Sequence, residues 1–413
     1  MLRAGTAPLV VSSSVLGRGC SFPPSERIYL GIIGLGVRAG QIVEELHRIR
    51  EGQIVAAADI DADHRSAFVE GLGKEIPTYN DYRRLLERKD VDGAIVATPD
   101  HWHTLQVVHS CQAGKDLYCE KPLTFTIEEG KECIDAVRSH NRVLQVGHHQ
   151  RSEYEGRFRR VCEWVRGGLL GKLERIETHL GQGPGSGGTD PDTEPPPGLD
   201  WDRWLGPAPL VPYRASRSHQ TFRWWYDYSG GKLTDWGTHH NDIALWATES
   251  DRTGPVSIEG NGDFPPPGGY DTAYRFRITY EFENAPPILC TSDEPHGIRF
   301  VGSQGTIWVD RQNIRVEPKD LEESRLASEA PRLYYPQEGN QSHLKDWLHC
   351  IKTRKDPICP VEVGHRVASL CHLGTIAIRL GRRIRWDPQS EIVVGDEEAQ
   401  AMVRRERREG YRI

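Results

Sequence analysis

Between Ile28 and Val146 short unbroken apolar runs alternate with segments whose apolar residues recur every three or four positions. The run Ile28–Ile33, followed by glycine, has the pattern of a parallel strand covered on both faces. Ile42, Val43, Leu46 and Ile49 follow at helical spacing. Further runs lie at 54–58, 94–97, 117–119 and 143–146, with helical patterns at 105–113 and 127–137 between them. The second of those helices opens on Thr126-x-x-Glu129, a capping box in which each side chain satisfies a backbone N–H of the first turn. Strand and helix in alternation predict a doubly wound parallel sheet.

Beyond residue 146 the period changes. Tyr154, Phe158, Val161, Cys162 and Val165 mark one more helix. Residues 181–200 then hold six glycines and five prolines, too many breakers for regular structure. The position of this stretch inside a domain favours a functional loop over a linker. Tyr274, Phe276, Ile278, Tyr280 and Phe282 alternate with polar residues, the period-two mark of an antiparallel strand with one wet face. Residues 300–301, 306–309 and 314–316 read as its neighbours, and helices return at 344–351 and 367–380. The second unit is therefore α+β, giving an α/β chain of two dissimilar parts. The divisions are 1–26, a partial export leader or disordered arm; 27–146, the parallel-sheet unit; 147–390, the α+β unit; and 391–413, a charged tail.

Length and composition remove several classes of function. A chain of 413 residues has room for two or three domains. The net charge of −7, with no basic stripe before the last dozen residues, speaks against a nucleic-acid partner. No apolar run reaches the roughly 18 residues a membrane-spanning helix needs. The nine cysteines form no CxxC pair and are odd in number, so neither a redox motif nor a complete disulfide framework is indicated. Cys111, Cys119 and Cys133 sit in apolar segments and read as small core residues. At the amino terminus, Arg3 and the small-residue stretch after it resemble the later part of a bacterial export leader, without a twin arginine. An exported or periplasmic protein is the expectation from that stretch, a cytoplasmic one without it.

Chemistry enters at the strand ends. Gly34-Leu35-Gly36-Val37-Arg38-Ala39 follows the first strand and opens the first helix, the context a dinucleotide fingerprint requires. Gly34 permits the tight turn, Gly36 lets the backbone approach a pyrophosphate, and the helix amino terminus offers oriented N–H donors. Asp59 ends the second strand, where a carboxylate accepts from both adenosine ribose hydroxyls and repels a 2′-phosphate. That favours NAD over NADP. Thr98, Pro99 and His103 follow the fourth apolar run, and Glu120-Lys121-Pro122 the next, both at the carboxyl edge where ligands sit in open α/β sheets. Lys121, held off the helical region by Pro122, suits hydrogen bonding to a substrate hydroxyl. Further on, Asp235 and His239 fall at i and i+4, which on one helix places a carboxylate beside a candidate general base.

Taken in order, Gly34-Leu35-Gly36, Ala97-Thr98-Pro99 with His103, Glu120-Lys121-Pro122, and Gly230-Gly231 leading to Asp235 and His239 resemble the Gfo/Idh/MocA oxidoreductases. Residues 199–213, 222–246 and 360–388 look most similar to a bacterial, often exported branch common in planctomycetes. The resemblance implies a Rossmann domain, a carboxyl-terminal domain with a large, mostly antiparallel sheet, and a dimer or tetramer made through that sheet. It implies Lys121, Asp235 and His239 as the catalytic set, with Gly34, Leu35, Gly36, Val37, Arg38, Asp59, Thr98, Pro99, His103, Glu120 and Lys121 on the cofactor side. His148, Arg151, Trp224, Tyr226 and His240 are the substrate candidates. The expected reaction is NAD-dependent hydride transfer at a secondary hydroxyl of a sugar or sugar derivative. Two alternatives stand beside it: a glycosidase that works by transient oxidation with retained NAD, and a non-catalytic NAD-binding sensor. The family implies no metal, although His101 with His103, His148 with His149, and His239 with His240 offer zinc-type ligands.

Overall fold

The computed structural model describes residues 26–333 and 342–413. The expected leader falls outside them except for Glu26. Strand and helix alternate through the first unit: β1 (Ile28–Ile33), α1 (Val37–Ile49), β2 (Gly52–Ala58), α2 (Ala62–Leu72), β3 (Thr78–Tyr79) and α3 (Tyr82–Leu86). They continue as β4 (Gly93–Val96), α4 (His103–Gln112), β5 (Asp116–Cys119), α5 (Ile127–Ser139) and β6 (Leu144–Val146). The six strands are parallel in the order β3-β2-β1-β4-β5-β6, the doubly wound Rossmann arrangement. Its switch point lies between β1 and β4, so the crevice opens beside the turn after β1. Thr126 caps α5 through the full capping box.

The second unit opens with α6 (Arg157–Arg166), β7 (Leu173–His179), α7 (Trp201–Leu205), α8 (Lys232–Asp235) and α9 (Gly237–Ala247). Strands β8 (Ser257–Asp263), β9 (Arg275–Glu281), β10 (Ile288–Thr291), β11 (Gly297–Gly302), β12 (Gly305–Val309) and β13 (Ile314–Glu317) follow. After α10 (Arg325–Glu329) come α11 (His343–Thr353), α12 (Val361–Leu380), β14 (Ile384–Asp387), β15 (Ile392–Val393) and α13 (Glu397–Ala401). Nine strands form one sheet in the order β13-β12-β11-β7-β10-β9-β8-β14-β15, antiparallel except for the β7–β10 pair. Along β9 the side chains of Phe276, Ile278 and Tyr280 are buried while Arg275, Arg277 and Glu281 are exposed. The helix expected to include Tyr154 starts later, because Tyr154 and Glu155 take left-handed backbone angles (φ 57° and 55°) just before α6.

Two features join the units. Leu344, Trp347 and Leu348 of α11 pack into the core beneath β1 and α1, so a helix from the far end of the chain covers one face of the parallel sheet. Helix α12 is buried along nearly its whole length and packs on α5 and β8, which makes one core continuous from the parallel sheet to the antiparallel one. Residues 181–200 form neither helix nor strand. Behind them Trp201, Trp204, Tyr213, Trp225 and Tyr228 cluster on the edge of the first unit. His101 Nε2 and Trp102 Nε1 both meet the Trp204 carbonyl, each at 3.0 Å, pinning α7 there. The eight described cysteines are all buried, and none is disulfide-bonded to another.

Candidate active site

A cleft of about 1100 Å³ runs from the carboxyl edge of the parallel sheet to the second unit. At its floor the turn after β1 requires glycine: Gly34 has φ +86°, and a Cβ there would lie 2.7 Å from the Ala97 carbonyl carbon. Gly36 caps α1 without a side-chain oxygen, and a Cβ on it would meet nothing within 4 Å. The first amides of α1 thus face the cleft over a bare backbone, which fits a pyrophosphate. Asp59 is fixed by its own chain. Its Oδ2 accepts from the Leu35 amide at 2.7 Å and its Oδ1 from the Asp61 amide at 2.9 Å. His64 Nδ1 stands 3.4 Å from the same carboxylate, and that hydrogen bond raises the imidazole's pKa. The residues present fit a dinucleotide.

Arg38 donates from Nε to Glu120 Oε1 at 2.6 Å, closing the strand-end loops over one another. Burial pushes the Glu120 carboxyl up, but Arg38 and then Lys121 outweigh it and hold the group below its ordinary value. Lys121 Nζ donates to Asp235 Oδ1 at 2.6 Å and to the Asp235 carbonyl at 3.2 Å. The other carboxylate oxygen accepts from Arg223 at 2.8 Å. Burial again opposes ionisation, and the two cations overcome it, so Asp235 stays charged well into acid. His239 is 5% exposed, lines the cleft, and has a buried Nδ1 without a hydrogen-bond partner among the described residues. Burial, then Lys121, His149 and Arg311, push its pKa well below 6.5. The imidazole is therefore neutral and able to accept a proton.

One expected pairing is not formed. Asp235 and His239 do not share a helix: α8 ends at Asp235, α9 begins at Gly237, and Trp236 sits at the break. The carboxylate turns to Lys121 and Arg223, and among the described residues it makes no hydrogen bond to the histidine. His239 instead faces His149, with ring centroids 4.8 Å apart. His149 Nε2 lies 3.0 Å from the Tyr154 hydroxyl.

Of the cofactor-side candidates, Gly34, Gly36, Val37, Arg38, Asp59, Thr98, Pro99, Glu120 and Lys121 line the cleft. Leu35 contributes its amide while its side chain is core. His103 lies outside the cleft lining; its ring nitrogens are 2.7 and 2.9 Å from the Pro122 and Thr98 carbonyls, so it braces the loop that carries Lys121.

The five substrate candidates lie elsewhere. His148 is fully buried, 3.6 Å from Asp242. Arg151 is 2% exposed, with its nitrogens 2.6 to 3.0 Å from Asp242 and 3.0 Å from Asp251, a structural ion pair. His240, one step round the helix from His239, packs on Phe158, Trp236 and His296. Trp224 lies under Arg223, 5.0 Å from its guanidinium, and outside the cleft lining. Tyr226 is covered by Arg379 and Arg405, at 3.4 and 3.7 Å from the ring centre. Sequence reasoning missed Arg223, Tyr154, Trp236, Glu153 and Arg311, all of which line the cleft. Among the described residues, no three of the six paired histidines converge. The groupings with metal-ligand spacing are Asp61, His64 and His219, and His148, Asp242 and Cys359.

Comparison with known proteins agrees with this geometry. The family model for the Gfo/Idh/MocA oxidoreductase NAD-binding Rossmann fold matches residues 28–148, and that for the family's C-terminal alpha/beta domain matches 186–413. An uncharacterized oxidoreductase of Bacillus subtilis, YrbE, is 29% identical over 385 residues, covering 89% of this chain and 99% of that protein. A myo-inositol 2-dehydrogenase of Thermotoga maritima is 30% identical over 178 residues, covering 43% of this chain and 49% of that enzyme. The crystal structure of an aldose-aldose oxidoreductase from Caulobacter crescentus superposes with a TM-score of 0.66 at 21% identity, over 87% of this chain and 99% of that one, a likeness of fold.

Proposed function

The chain belongs to the Gfo/Idh/MocA oxidoreductase family and carries its NAD-binding Rossmann domain, and from that premise we propose that it transfers a hydride between a secondary hydroxyl carbon of a sugar or sugar derivative and NAD. The observation that carries the reading is the meeting of Lys121 and His239 in the cleft that begins at the Gly34–Gly36 turn. Gly36, Val37, Arg38, Asp59, Thr98 and Glu120 would hold the dinucleotide, which when bound supplies the hydride acceptor or donor. Lys121, locked by Asp235, donates to the substrate hydroxyl and stabilises its developing negative charge. His239, kept neutral, takes the hydroxyl proton as the carbon is oxidised. Trp236 lines the cleft beside these groups.

The test is a sugar panel with NAD, read by NADH formation and by calorimetric NAD binding. Turnover that falls about 10²- to 10⁴-fold in His239→Asn, with NAD affinity retained, is the expected result. A protein that neither binds NAD nor oxidises any sugar ends the proposal. A second reading, redox-neutral glycoside cleavage with retained NAD, draws on the His149–Tyr154 pair, a further acid/base couple next to His239. Cleavage with no net NADH selects it; stoichiometric NADH with the glycosidic bond intact removes it. Pairing of two or four copies through the open face of the nine-stranded sheet, and membership of the exported branch, belong to the same proposal. Light scattering of the purified chain tests the first.

A further inference from the structure

Arg311, in the turn between β12 and β13, is a cation with no ion pair among the described residues. Its guanidinium carbon lies 4.5 Å from the Trp236 ring centre and 4.9 Å from that of Tyr154, so aromatic faces hold it. Nε makes one long hydrogen bond, 3.4 Å, to Gln150 Oε1. Its two terminal nitrogens form no hydrogen bond or ion pair among the described residues, and the side chain lines the cleft on the His239 side. Nearby carboxylates do not neutralise it. Asp235 is already shared by Lys121 and Arg223. Glu153 is pushed up to about 8 by burial and by Glu45, so at neutral pH it is mostly protonated. Arg38 adds a further positive charge on the same side, and burial lowers the Arg311 pKa. A guanidinium in that position remains charged and is poorly compensated. The rings of Tyr154 and Trp236 flank the guanidinium carbon without engaging its terminal N–H groups in a hydrogen bond, and those groups are left to a ligand. Tyr154 adopts a left-handed backbone, φ 57°, where its ring meets Arg311.

We propose that Arg311 is an anion subsite of the cleft and that the substrate is an acidic sugar, bearing a carboxylate or a sulfate ester that the guanidinium fork binds. The assignment deepens the hydride-transfer reading and rests on it for the word substrate, while the binding site itself is testable without turnover. The fork offers two parallel N–H donors to two oxygens of one group, a geometry that neither a neutral hydroxymethyl nor a lone hydroxyl can fill.

The experiment titrates the NADH-loaded protein with glucuronate, glucose 6-sulfate and glucose, following tryptophan fluorescence and heat, at low and high salt. Glucuronate or the sulfate ester binding about 10- to 100-fold more tightly than glucose, with a preference that shrinks in salt, is the expected result. Arg311→Gln abolishes the preference and leaves glucose affinity unchanged, whereas Arg311→Lys restores part of it. The two acidic probes separate a planar carboxylate from a tetrahedral ester. Equal binding of acidic and neutral sugars by the native protein, or an equal loss of both in Arg311→Gln, overturns the proposal. Absence of binding by all three also overturns it. If Arg311→Gln does not fold, the native salt dependence and the Arg311→Lys protein still decide. Discrimination in binding, with no NADH formed from any sugar when NAD is supplied in place of NADH, leaves the anion subsite standing and removes the hydride-transfer reading.

Discussion

At His239 burial and four neighbouring cationic or imidazole groups act in one direction: each disfavours the imidazolium. A general base with so low a pKa stays available far into acid, so the acid limb of kcat/KM lies well below pH 6.5, where an exposed histidine would place it. A limb at or above 6.5 in a pH–rate profile contradicts this account. Asp235→Asn separates two roles. If the carboxylate positions Lys121, turnover falls by about 10²-fold while the His239 limb stays in place; if it orients His239, the limb moves. Lys121, Asp235 and His239 were legible in the sequence because each stands in a short motif at a strand or helix end. Their pairing was not. The i, i+4 rule assumes an unbroken helix, and Trp236 interrupts this one. Arg223 and Arg311 gave no signal at all: among 52 lysines and arginines, only burial and the absence or presence of a partner distinguish them.

The elements that present these groups hold them by different means. The β1–α1 turn depends on Gly34, whose φ of +86° and 2.7 Å approach to Ala97 leave no room for a side chain. Gly34→Ala is expected to abolish NAD binding in calorimetry while the protein remains folded by circular dichroism. Helix α9 is buried on all sides, and Asp242 at its middle, held at a pKa of about 2 chiefly by Arg151 against burial, ties it to the segment after β6. Arg151→Met leaves that carboxylate buried beside His148 with its main partner gone, a loss of about 3–5 kcal/mol in denaturant unfolding. The KM for sugar should not change in the folded fraction. A raised KM with unchanged stability would return Arg151 to the substrate site. His148 and Arg151 entered the substrate set through the family resemblance, not through any pattern in their own segment. The chain turns inward there, which apolar periodicity does not record.

Across the whole molecule, the change of hydrophobic period near residue 146 separated a parallel sheet from an antiparallel one, but it did not show which sheet each later helix would cover. Helix α11 packs under β1 and α12 spans both sheets, so the two units share their cores and should unfold together. That cooperativity makes the buried histidines a property of the entire fold. Burial holds His101, His343 and His372 at pKa values of about 4, against 6.5 when exposed. Well above 6.5 neither the native nor the unfolded chain protonates them, and these histidines cost no stability. As the pH falls from 6.5 towards 4 the unfolded chain binds protons that the native chain refuses, so stability drops by up to about 1.4 kcal/mol per pH unit for each histidine. Asp242 and Glu391, held at about 2, reinforce the loss only at lower pH, once unfolded carboxylates begin to protonate. The melting temperature should therefore fall through the histidine interval and fall further below pH 4, while Glu153, held at about 8, works in the opposite sense and lowers it gently as the pH rises from 6.5 towards 8. His372 Nε2 lies 2.9 Å from the Thr124 carbonyl, a bond a glutamine amide can replace. His372→Gln should flatten the middle segment by about one histidine's share, about 1.4 kcal/mol per pH unit. A melting temperature that does not change between pH 6.5 and 4 would mean that these imidazoles are solvated in the native protein and that the shared core is looser than its packing indicates.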